Sequence, residues 1–258
     1  MKIRNLFNFR PGNETLIGLA AFLACVLVNI AAGQLTGRPG FYLVYDGLLI
    51  LGIGIAFPVW ITAIRRRRPL SAIGITADHW PRAVGIGLLI AALSTGGRLM
   101  GAPVQFPPTS TLLDLVACMI LSTLFEEVFF RGYLQTRLER SFGIIPAMLL
   151  SAACFALYHV GYSGLITSVS QLVTLFAVSL FFSIAFRLTN NVITSFIVNL
   201  PQAVLTFVVD PKFIAYRLRA GFDGTAAILA VVTTMLGLLL IAAAHRVYGR
   251  KSLTPASA

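Results

Sequence analysis

Residues 112–131 read LLDLVACMILSTLFEEVFFR: a mostly apolar run that closes on two adjacent carboxylates, Glu126 and Glu127, with Arg131 four positions further on. If the run is a membrane helix, each charge within it costs about 2.5–3.5 kcal/mol on insertion scales. The whole chain has only nine acidic residues. Two of them side by side in such a setting point to a task that repays the cost.

Working outward, 57% of the 258 residues are hydrophobic and 11% charged, with a mean hydropathy of +0.87. A soluble domain carries about 25% charge. Apolar runs of about 20 residues recur, enough to cross a hydrocarbon core of roughly 30 Å as helices. The short alternating segments of a membrane β-barrel do not occur. The fold class expected is therefore all-α, a polytopic membrane bundle of about eight transmembrane helices forming one domain over residues 1–258. The helices fall near 15–33, 41–63, 82–102, 111–139, 144–162, 165–187, 191–209 and 224–244. The third is the weakest, because Gly96, Gly97 and Arg98 interrupt it. Pro103 to Ser110, with three prolines, reads as a loop. No internal repeat of the transporter kind is visible.

The net charge of +11 does not imply nucleic acid, because most basic residues flank apolar segments and set orientation. Threading from a cytoplasmic N-terminus puts 15 of the 20 basic residues inside, Arg131 among them, and leaves Arg38, Arg98, Lys212, Arg217 and Arg219 outside. The expectation is a multi-pass protein of the cell membrane with both termini cytoplasmic. Arg65–Arg68 reads as the stop signal ending the second helix, with an anionic-lipid or partner site as the other reading. The basic start and long first apolar run read as a retained helix, not a cleaved signal peptide. Cys25, Cys118 and Cys154 lie in apolar runs and behave as small hydrophobes.

Three polar pairs, each four residues apart and so on one helix face, stand out. Glu127 and Arg131 form an ion pair. Glu126, about 100° further round, then points elsewhere, toward a cavity. Phe155 and His159 share an apolar helix read from Ile144 to Tyr162. If the chain turns near Ser141-Phe142-Gly143, an antiparallel hairpin sets Glu126 and His159 level, where carboxylate and imidazole can share a water. Ser195 and Asn199 add two hydrogen-bond donors. Together these supply a base, a second proton carrier and donors, the inventory for adding water to a carbonyl.

These residues resemble the CPBP or Abi group of intramembrane proteases, which includes the type II CAAX prenyl endopeptidases, over a core of residues 112–200. Glu126-Glu127-Val128-Phe129-Phe130-Arg131 matches the group's Glu-Glu-x-x-x-Arg motif, and Phe155-Ala156-Leu157-Tyr158-His159 its Phe-x-x-x-His motif. The third motif, His-x-x-x-Asn, departs here: Ser195 stands in the histidine position before Asn199. The resemblance implies hydrolysis of a membrane-embedded or lipidated peptide within the bilayer. Glu126 would be general base, His159 would share the water, Asn199 and Ser195 would serve the oxyanion, and Glu127, Arg131 and Phe155 would give support. It implies either no cofactor or zinc. A metal would rest on Glu126 and His159, and Ser195 weakens that set. A catalytically silent scaffold or bacteriocin-immunity-type protein and a proton-coupled transporter are the competing classes.

Overall fold

A computed structural model describes residues 6–38, 40–101, 106–161, 168–209 and 224–248. Among them the chain forms eight long helices and no strand. These are α1 (Asn13–Gln34), α2 (Gly40–Arg65), α3 (Trp80–Gly101), α4 (residues 109–142), α5 (Ile144–Tyr158), α6 (Val169–Thr189), α7 (Val192–Val209) and α8 (Gly224–Tyr248). Five of them, α1, α2, α3, α6 and α8, are long and apolar enough to cross a membrane, while α5 is a shorter apolar helix. The expected multi-pass helical bundle is present, and its helices fall where hydropathy puts them.

α3 runs unbroken through Gly96 and Gly97. Its far end is tied to α7: Arg98 donates to the Gln202 side chain at 2.9 Å, and the Gln202 amide donates to Ser94 at 3.0 Å. Those bonds offset the low helix propensity of two glycines. The proline-rich loop is described only from Phe106, where Pro108 precedes the first residue of α4. Pro103, Lys212, Arg217 and Arg219 lie outside the described residues.

α4 is the axis of the bundle. From Phe125 to Gln135 every residue is buried, and a helix covered all round belongs in the middle of its fold. Its rings pack on α5: Phe130 meets Phe155 edge-on at 5.3 Å, and Phe125 meets Tyr158 at a tilt, 5.5 Å between centroids. α4 is not one uniform helix, since Thr109–Glu126 and Thr136–Phe142 are α-helical but Glu127–Gln135 is π-helical.

α4 and α5 turn at Gly143, as the hairpin reading requires. Gly143 has φ +84°, and a Cβ there would lie 2.7 Å from the Leu6 carbonyl oxygen, so glycine is needed on both counts. The segment before α1 lies across this turn, with Asn8 N–H donating to the Phe142 carbonyl at 2.9 Å. Alternation of eight helices puts the start of α1, the α2–α3 connection, the Gly143 turn, the Asn190 turn and the end of α8 at one end. The described arginines gather there, with Arg38 and Arg98 at the other. Arg131 does not belong to either end: it is 0% exposed in the middle of the bundle, because it is the partner of a buried carboxylate.

Candidate active site

Three elements meet half-way along α4. Glu126 is the last α-helical residue before the π segment, and Glu127 opens it. The two carboxylates do not part company as a simple 100° step suggests. Asn199 on α7 donates one amide hydrogen to Glu126 Oε2 and the other to Glu127 Oε1, both at 2.9 Å. Widening of the turn at Glu127 and the span of one NH2 group explain the convergence. The nitrogen must face the carboxylates, since an amide oxygen there would meet two further acceptors. Pro201, two residues on, has no N–H for the Ile197 carbonyl and loosens α7 beside Asn199.

Glu127 pairs with Arg131 at 3.8 Å, both about 1% exposed or less. Three hydroxyls hold the guanidinium: Ser179 at 2.7 Å, and Ser151 and Ser183 at 3.2 Å each. Arg131 also lies over the Phe155 ring at 5.1 Å, and that ring packs on His159 at 4.5 Å. Phe155 thus stands between the cation and the imidazole.

His159 is not deep inside a helix. α5 ends at Tyr158, and His159–Gly161 form a 3-10 turn; Tyr162 lies outside the described residues. The tighter turn sends the His159 N–H to the Ala156 carbonyl, leaving the Phe155 carbonyl to accept from the ring Nδ1 at 2.8 Å. A carbonyl only accepts, so Nδ1 carries hydrogen and Nε2 presents a lone pair in the neutral ring. Nε2 faces Glu126 Oε1 at 3.7 Å. Two acceptors at that separation suit a water that donates one hydrogen to each.

Ser195 is buried and donates to the Val192 carbonyl at 3.3 Å, with its hydroxyl beside Glu127. All seven residues singled out in the sequence therefore surround one locus, with Ser195 on its Glu127 side. Sequence reading missed Asn29 of α1, which donates to the Tyr158 carbonyl at 3.0 Å and steadies the end of α5. It also missed the serine cradle, of which only the Ser179/Ser183 spacing on an apolar helix was a signal.

Zinc takes three or four ligands. Here Glu126 and His159 are the donors that remain, since Glu127 is engaged by Arg131 and Asn199 turns its NH2 to the carboxylates. Among the described residues no group of three His, Cys, Asp or Glu side chains is placed to hold a metal. The donor set does not fit a zinc centre.

Fold and site together define a multi-pass helical membrane protein with a carboxylate–imidazole centre midway along its central helix. Residues 108–200, roughly a third of the chain and all seven candidate site residues, match the family described as type II CAAX prenyl endopeptidase Rce1-like. The family so described is one of peptidases, the kind of hydrolase that this stretch is similar to. No curated protein matches the chain.

Proposed function

We propose that this protein is an intramembrane endopeptidase that cleaves a membrane-embedded or lipidated peptide with water activated by Glu126 and His159. The supporting observation is the approach of Glu126 Oε1 to His159 Nε2 at 3.7 Å, with the imidazole tautomer set by the Phe155 carbonyl. Water held by both groups attacks the scissile carbonyl as Glu126 takes its proton. Once protonated, Glu126 is a weaker acceptor, so the Asn199 N–H that it held turns to the developing oxyanion. The proton then passes from Glu126 to the departing amine, while His159 Nε2 goes on accepting the hydrogen of the added hydroxyl. No step runs through a metal. Glu127 and Arg131 keep α4, α5, α6 and α7 in register around the centre. Both termini and the arginine-rich end lie in the cytoplasm.

The test is cleavage of a quenched-fluorescent peptide library, prenylated CAAX peptides included, by the purified protein and its Glu126→Ala form, with and without a zinc chelator. Cleavage that vanishes with Glu126 and resists the chelator is expected. Chelator-sensitive cleavage refutes the metal-free route. No cleavage by either form, where an active relative works, makes the Asn199 network a packing device and the chain a scaffold.

A further inference from the structure

At the arginine-rich end, one carboxylate gathers four guanidinium groups. Glu14 of α1 lies 2.8 Å from Arg137 and 3.2 Å from Arg140 of α4, 3.4 Å from Arg68 and 3.8 Å from Arg66. Arg137 is 2% exposed and further held by Thr62. Its hydrogen bonds account for it as a structural tie. Arg66, Arg68 and Arg140 are different, with side chains 37–41% exposed.

A stop signal needs charges at a helix end and nothing more. Here the backbone is bent to aim them. Arg67 has φ +50°, a left-handed conformation that an arginine adopts at a cost, and the reversal brings Arg66 and Arg68 to the same carboxylate. Two more arginines arrive from another helix. Glu139, the other acid nearby, is paired with Arg187 at 3.6 Å. Glu14 is the one carboxylate that meets all four guanidinium groups, and with Glu139 shared between Arg187 and Arg140 the cluster keeps an excess of positive charge at close range, a repulsion that a bound anion relieves.

The surroundings say which anion. Beside the cluster, α1 exposes Leu16 and Leu19, and α2 exposes Trp60 and Ile64 in the turns that lead into the tetrad. Exposed aliphatic side chains and a tryptophan next to arginines at a helix end are the pattern of a headgroup boundary. We infer that Arg66, Arg68 and Arg140 bind the phosphate of an anionic phospholipid whose chains run along α1 and α2.

The experiment is native mass spectrometry of the detergent-purified full chain titrated with phosphatidylglycerol or phosphatidylcholine. It compares the wild type, Arg66→Gln/Arg68→Gln, and the equally charged control Arg65→Gln/Arg67→Gln. Phosphatidylglycerol should bind the wild type and the control alike, and bind Arg66→Gln/Arg68→Gln roughly tenfold more weakly. Arg140→Gln alone should show a smaller loss in the same direction. Thermal unfolding of each variant confirms that the chain is folded. Equal loss in the two double variants means a diffuse field and overturns the site. So does equal binding of the two lipids. Inorganic phosphate that displaces phosphatidylglycerol at saturation overturns the lipid assignment, the cluster then being a site for a free anion.

Discussion

At the scale of the residue, the two adjacent glutamates have different neighbours and should fail differently. Glu127→Gln leaves Arg131 fully buried with three serine hydroxyls and only the Glu126 carboxylate beyond as counter-charge. Breaking such a pair costs about 3–5 kcal/mol, so a marked fall in the thermal midpoint in detergent is expected. Glu126→Gln keeps an acceptor for Asn199 and should abolish cleavage while moving that midpoint little. Ser195→Ala removes a hydroxyl shared between the Val192 carbonyl and the Glu127 carboxylate; cleavage should stay within about tenfold of wild type, since contacts of this kind average about 0.6 kcal/mol. A loss as deep as that of Glu126→Gln would make Ser195 a catalytic donor instead. The Glu127–Arg131 pair was legible because helical spacing of four is local. The meeting of Glu126 with His159 was legible because the hairpin has a visible midpoint. The bridge from Asn199 was not, because spacing within one helix carries no information about the face of another.

At the scale of the element, the π-helical stretch Glu127–Gln135 decides how α4 presents its side chains, and nothing in its residues announces it. Such geometry is uncommon outside single turns, but α2 adopts it too over Leu43–Ala56 and Trp60–Arg65, so it does not by itself mark the site. In α4 it is held by close packing at Gly132, where a Cβ would sit 2.6 Å from the Ile73 carbonyl oxygen. Backbone cannot yield as a side-chain tip can. Gly132→Ala should therefore cost about 1–3 kcal/mol, the usual range for overpacking, read as a lower unfolding midpoint. A midpoint equal to wild type would mean that the short helical turn Leu70–Ile73 is free to move away from α4. α5 shows the converse lesson. Its apolar run continues to Tyr162, so hydropathy extends the helix, yet the hydrogen bond from the His159 ring takes the Phe155 carbonyl and the α-helix stops at Tyr158.

At the scale of the whole molecule, the two ends differ in charge and in access to the site. Hydropathy and basic-residue placement suffice for the helix count and for the gathering of arginines at one end, because both follow from transfer between water and lipid. Access does not follow from either. Toward the arginine-rich end, every residue of α4 from Glu127 to Gln135 is buried, so that route to Glu126 is closed. His159 keeps 16% of its side chain exposed where α5 ends, and Leu157 and Val160 beside it are half exposed. Among the described residues, the exposed side of the centre therefore faces the opposite end, where α4 begins. On the proposed orientation, with the arginines cytoplasmic, a substrate is expected to reach Glu126 from the outer leaflet. Single-cysteine variants test both halves of that statement, since Cys25, Cys118 and Cys154 are buried and silent. Ser110→Cys, exposed at the start of α4, should react with a membrane-impermeant maleimide on intact cells; Arg67→Cys should react only after permeabilisation. In sealed vesicles of known orientation, a cleavable peptide should be consumed when added on the Ser110 side. Labelling of both cysteines from one side would overturn the helix alternation. Cleavage confined to the Arg67 side would mean that a substrate passes the buried stretch of α4, which its packing forbids without a large movement of the helix.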